Sequence, residues 1–188
     1  MDANLLSALP YQAGAVTRQI SAENPTGEKG RACIWDPDPQ DPALPHSGAA
    51  TDLGRGWKVR PFIRVKAGEI VTLAEISGPG CINEMLTTST SDLQELRALV
   101  LRFYWDGEET PSVEAPVGDF FAMGHDGYPH LVSSLPVTVG PHRGCNCYWQ
   151  MPFRKRAHIT LQKGVSLPLL LPPSPPLPPD QRRPPCLA

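Results

Sequence analysis

Five carboxylates fall within fourteen residues: Asp106, Glu108, Glu109, Glu114 and Asp119. Such groups can donate a proton, accept one, or attack as nucleophiles, provided two of them face one cleft. Trp105, Phe120 and Phe121 lie among them. Acids delivered beside aromatic rings are how many all-β carbohydrate sites are built, and also how ordinary solvated turns are built. Glu108 and Glu109 suit the second description, because charged turn residues mostly stay in water. Glu114 and Asp119 are the stronger candidates for ligand contact or for bracing the fold. Val113, Val117, Phe120 and Phe121 hold them near apolar surface. A buried carboxylate there needs a cation, which Arg60 or Arg102 could supply.

Other side chains have the chemistry for binding. Trp57, Trp105 and Trp149 could stack on a ring, although aromatic residues at alternating strand positions more often fill a core. His125 and His130 bracket Tyr128 in a glycine-rich loop. Residues 21–30 (SAENPTGEKG) form a polar, turn-rich loop in which Glu23 and Asn24 could grip a polar ligand. Metal chemistry is not expected. Cys145 and Cys147 with His142 lack the two-to-four-residue spacing and second ligand pair of structural zinc. Asp36, Asp38 and Asp41 lack the glycine and distal glutamate of a calcium loop. There is no nucleophile elbow, phosphate-binding loop or dinucleotide fingerprint, so no cofactor is expected.

The elements that would position these groups read as strands. In residues 99–105, Leu99, Leu101, Phe103 and Trp105 share one face and Val100, Arg102 and Tyr104 the other, a period of two. Asp106-Gly107 then signals a turn. Residues 57–65 and 70–76 alternate in the same way, the first placing Lys58, Arg60 and Arg64 on one side. Further strands are expected at 81–90, 133–139, 146–153 and 156–161, with 91–96 open between a helical turn and a loop, and one helical turn at 4–9. Short strands separated by glycine and proline turns predict an all-β fold, an antiparallel jelly-roll β-sandwich. The expected division is an N-terminal segment at 1–20, a jelly-roll domain at 21–163, and a proline-rich tail at 164–188. That tail holds nine of the chain's 23 prolines and predicts polyproline or disorder. It could be a ligand for a proline-binding domain; its abrupt onset after HITLQ favours the other expectation, that it is not native sequence and could come from a shifted reading frame.

Composition narrows the partners. The chain has 188 residues, a net charge of −2 and a pI near 6.2, against the basic patch that nucleic-acid binding requires. No stretch of eighteen apolar residues predicts a membrane span, and no basic-then-apolar leader predicts secretion. Five irregularly spaced cysteines fit a reduced, cytoplasmic chain.

Six segments together resemble glycoside hydrolase family 172. They are SAENPTGEKG (21–30), GWKVRPFI (56–63), AGEIVTLAEISGPGCI (67–82), LRFYWDGEETPSVEAPVGDFF (101–121), SSLPV (133–137) and NCYWQMPFRKRAHITL (146–161). The family includes an enzyme that makes and cleaves difructose dianhydride, and relatives acting on D-arabinofuranosides. The resemblance implies two consecutive jelly rolls per subunit, trimers or hexamers, and retaining hydrolysis of furanosides by two glutamates. Those glutamates lie in the second sandwich, so no residue here is assigned as catalytic. The expectation is therefore the N-terminal jelly roll of a furanosidase, inactive alone; the alternative is a non-catalytic carbohydrate-binding or structural assembly module. The partner expected is a furanose-containing oligosaccharide or glycoside. Its expected contacts are Glu23, Asn24, Trp57, Arg60, Trp105, Glu114, Asp119 and His125. In cleavage, carboxyl groups about 5–5.5 Å apart retain and those about 6.5–9.5 Å apart invert.

Overall fold

The computed structural model describes residues 16–34, 53, 56–58, 62–88, 93–123, 131–140 and 144–164. Ten strands are present among them: β1 (Ile70–Ser77), β2 (Gly80–Ile82), β3 (Met85–Thr88), β4 (Leu99–Trp105), β5 (Val113–Pro116), β6 (Val132–Ser133), β7 (Val137–Val139), β8 (Gly144–Cys147), β9 (Met151–Phe153) and β10 (Arg156–Lys163). Two short helices accompany them, α1 (Leu93–Ala98) and α2 (Val117–Phe120).

The pairings are antiparallel and nested. β1 pairs with β10, β2 with β9 and β3 with β8, so two distant stretches of chain run side by side as one ribbon. Rolling that ribbon gives a sheet of order β1-β10-β4-β5 and a sheet of order β3-β8-β7-β6, with β2-β9 between them. This is the jelly-roll pattern expected from the alternation. The inner faces meet in one core. Ala74, Leu101, Phe103 and Ile159 come from the first sheet and Val137, Val139, Cys145 and Cys147 from the second, with Leu96, Val117, Phe121 and Met123 closing one side. Such a face-to-face sandwich removes both apolar faces from water, which a lone sheet cannot do.

β4 occupies the middle of its sheet. Phe103 lies opposite Ile159 on one side and Val113 on the other, and its side chain is fully buried. The outward residues of β4 meet polar partners instead: Arg102 opposes Thr160 and Glu114, and Tyr104 opposes His158.

Several expected strands divide where the chain turns a corner of the sandwich. Of the expected strand at 81–90, residues 81–88 form the end of β2 and all of β3, interrupted at Asn83 and Glu84. Residues 133–139 are a hairpin rather than one strand. The Ser134 hydroxyl donates to the Val137 carbonyl at 2.7 Å and accepts the Val137 N–H at 3.1 Å. Residues 146–153 break at Tyr148–Gln150, where the ribbon passes from one sheet to the two-stranded patch. Within the open segment at 91–96 α1 begins at Leu93, and its Leu96 is buried at 1 % exposure. Of the expected alternating strand at 57–65, residues 57–58 and 62–65 are irregular, and residues 59–61 lie outside the described residues. The helical turn at 4–9, Arg60, His125 and the tail beyond 164 lie outside the described residues.

Candidate active-site surface

The alternation of β4 splits its surroundings into two depressions, one on each face of the first sheet. Phe103 and Trp105 point to the inner face, where Phe103, Trp105, Val113, Phe120 and residues 149–152 line an aromatic groove of about 380 Å³. Tyr104 points outward, where Gly107, Glu108, Glu109, Arg156 and His158 join it around a concavity of about 210 Å³.

The groove is the open end of a line of rings. Phe121 meets Phe120 edge-on at 5.1 Å, Phe120 stacks on Phe103 at 5.3 Å, and Phe103 lies 5.8 Å from Trp105. Trp105 in turn stacks on Phe153 at 6.4 Å and 10°. At the mouth, Trp149 keeps 47 % of its surface in water. A half-exposed indole beside a packed aromatic wall suits the apolar face of a ring.

The outer concavity is built on ion pairs. Glu75 on β1 lies directly across from His158 on β10. It takes both the Nε and Nη2 of Arg156, the latter at 2.8 Å, and its Oε2 lies 2.6 Å from His158 Nδ1. The Arg156 guanidinium, with His158 second, holds the Glu75 carboxyl below the usual glutamate range. An ionised carboxylate only accepts, so the proton between them sits on Nδ1.

Between the two depressions sits the Asp106-Gly107 turn. Both residues have positive φ, +55° and +91°, and Glu108 N–H donates to the Trp105 carbonyl at 2.9 Å to close it. The Asp106 Oδ1 accepts the backbone N–H groups of Lys155 at 2.6 Å, Arg154 at 2.9 Å and Arg156 at 3.2 Å. Those donors, Lys155 first, hold its carboxyl below the usual aspartate range.

The expected contact residues are distributed, not gathered. Of those that are described, Trp105 alone lines the groove. Glu114 pairs with Arg102 at 2.5 Å, and Asp119 with Arg97 at 2.7 Å. Arg102 was one of the two cations expected for such a brace; Arg97 was not. Glu23 and Asn24 are buried at 6 % and 5 % exposure. The Asn24 amide nitrogen donates to the Glu28 carbonyl at 3.0 Å and the Gln19 carbonyl at 3.4 Å, tying the loop closed, while its Oδ1 is buried without a hydrogen bond. Trp57 is 55 % exposed. Cys145 and Cys147 are buried in the core, and no group of three potential metal ligands exists among the described residues. Burial pushes the Cys145 thiol up to about 11.

Sequence reasoning did not select Glu75, Tyr104, Arg156 or His158. The signal was present in the outward positions of two alternating strands, HxT and AEI, but it becomes a cluster only once β1 is registered on β10. No helix among the described residues is long and apolar enough to cross a membrane.

Comparison with curated proteins gives no match. A family model, GH172 domain-like, matches residues 59–166, a stretch that contains every strand described above. With more than half of the chain covered by that match and an antiparallel β-sandwich built from it, the chain belongs to the GH172 domain-like family of glycoside hydrolase domains.

Proposed function

We propose that this sandwich is the first of two in a furanoside-acting glycoside hydrolase of the α-D-fructofuranosidase or D-arabinofuranosidase type. In this reading it supplies architecture and sugar contacts, while a second sandwich holds the acid chemistry. The family match over residues 59–166 carries the reading. The state of the carboxylates supports it. A general acid for glycoside cleavage needs a carboxyl that keeps its proton near neutral pH. Glu75 and Asp106 are pushed the other way, and Glu114 and Asp119 are clamped by arginines.

The domain then works within a larger assembly, a trimer or hexamer in the cytoplasm. Leu86, Leu131 and Leu135 expose 70 %, 71 % and 96 % of their surface, which favours burial against another face. The thiols at Cys33, Cys81, Cys145 and Cys147 are all free, as a reducing compartment would keep them.

The test is turnover by the purified chain alone. Aryl α-D-fructofuranosides and aryl D-arabinofuranosides should release no phenol above the blank; release at an enzymatic rate overturns the division of labour. A second reading, a carbohydrate-binding module with no catalytic partner, is favoured by the half-exposed Trp149 at the mouth of the groove. It predicts saturable binding of oligofuranosides by calorimetry, and no hydrolysis in any assembled form.

A further inference from the structure

The outer concavity has no part in the core and lies on the opposite face of the sheet from the aromatic groove. Its side chains are nevertheless arranged. The Tyr104 and His158 rings sit 5.4 Å apart at 46°, as direct cross-strand neighbours. Glu75 fixes the histidine ring, and Arg156 is held in place by the same carboxylate. The Asp106-Gly107 turn carries Glu108 and Glu109 over the rim. Ser112 takes one Glu108 oxygen at 2.6 Å. Glu109 has no hydrogen-bond or ion-pair partner among the described residues, nor does the Tyr104 hydroxyl.

The valences left over define the ligand. The Glu109 carboxylate accepts, the remaining Arg156 N–H groups and the Tyr104 hydroxyl donate, and His158 Nε2 accepts from a neutral ring or donates from a charged one. An anion would face Glu108 and Glu109. A metal ion would lack a ligand set among the described residues. A hydrocarbon would strand every one of these polar groups. A neutral polyol both donates and accepts at each hydroxyl and satisfies them all. The concavity's volume of about 210 Å³, below the roughly 300–1,000 Å³ of pockets for larger ligands, accommodates one ring.

We infer that this concavity is a subsite for a single neutral sugar ring, with Tyr104 as its platform and His158 Nε2 and Glu109 reading adjacent hydroxyls. Arg156 lines it and donates its remaining N–H groups, and Glu75, which holds both Arg156 and His158, is the positioning residue. The inference rests on the carbohydrate reading above and adds to it a second contact surface, across the sheet from the groove.

Titration of the full chain with methyl β-D-fructofuranoside and methyl α-D-arabinofuranoside, followed by amide chemical shifts, tests it. Saturable shifts are expected at Tyr104, Gly107, Glu109 and His158. Glu109→Gln, an exposed change outside any strand, should weaken that binding about ten-fold, the scale of one charge-assisted hydrogen bond. Trp149→Ala should leave it unchanged. Shifts confined to Trp105 and residues 149–152, abolished by Trp149→Ala, would overturn the subsite and leave the carbohydrate reading standing. Saturation by putrescine or calcium chloride but by neither glycoside would make this a cation site and overturn the subsite as well. Silence at both surfaces with every probe would overturn the subsite and remove the groove's sugar contacts with it.

Discussion

Asp106 holds a backbone conformation of φ +55°, one that aspartate tolerates better than most residues, and one of its oxygens collects three N–H groups from the turn between β9 and β10. Replacing it with alanine strands those donors, and Asp106→Asn restores an acceptor without the charge. Urea unfolding should therefore place the midpoints in the order wild type, Asp106→Asn, Asp106→Ala, and the amides of Arg154, Lys155 and Arg156 should exchange faster in the alanine variant. The same geometry has a pH signature. The folded carboxyls of Asp106 and Glu75 are held below their ordinary values, so the unfolded chain binds their protons more readily. Their stabilisation is complete above the ordinary range, near about 4, and is lost as the pH falls through the lower folded values. A Glu75→Gln, Asp106→Asn double variant should show a flatter fall in thermal midpoint on acidification than the wild type. Thiol chemistry divides by burial. Cys145, raised to about 11, should resist alkylation at neutral pH in the folded chain, whereas the exposed Cys81 reacts. Of these residues, Asp106 was readable in sequence as half of a turn. Its three donors lie almost fifty positions downstream, where no local pattern connects them.

At the level of elements, period-two alternation carried its information well in β1, β4 and β10, each long enough to show it and each half-buried. It failed at the corners. The runs at 81–90 and 146–153 stay strand-like in composition, but a rolled ribbon must change sheets somewhere, and Asn83, Glu84 and Tyr148 mark the place without announcing it. β5 was hidden by its own composition, since Pro111, Glu114 and Pro116 read as a loop until Arg102 is seen opposite Glu114. The two-stranded patch of β2 and β9 depends on one small residue. A Cβ on Gly80 would lie 2.7 Å from Phe153 Cζ, and Phe153 is itself stacked on Trp105. Gly80→Ala should cost about 1–3 kcal/mol, the usual scale of overpacking, and circular dichroism in the aromatic region should record the displaced ring. Gly80→Ala combined with Phe153→Leu should recover part of that loss.

Across the whole molecule, stability passes through Phe103. It contacts the ring of Phe120 on one side and that of Trp105 on the other, and it is fully buried between the sheets. Phe103→Ala should cost about 3–5 kcal/mol, a large part of the roughly 5–15 kcal/mol available to a domain, and equilibrium denaturation would measure it. The family was legible because its long motifs occur in order along the chain; the outer concavity was not, because strand registration creates it. The nested pairing of Ile70 with Gln162 and of Leu99 with Lys163 carries a further consequence. During synthesis β1 and β4 leave the ribosome long before β10, the strand that lies between them. Leu101, Phe103 and Trp105 must wait, with β5 on one edge of their strand, for the stretch that will pair the other. Refolding should accordingly be slow for a chain of this size, on the order of milliseconds to seconds. Chaperone binding during that interval should centre on the aromatic strand.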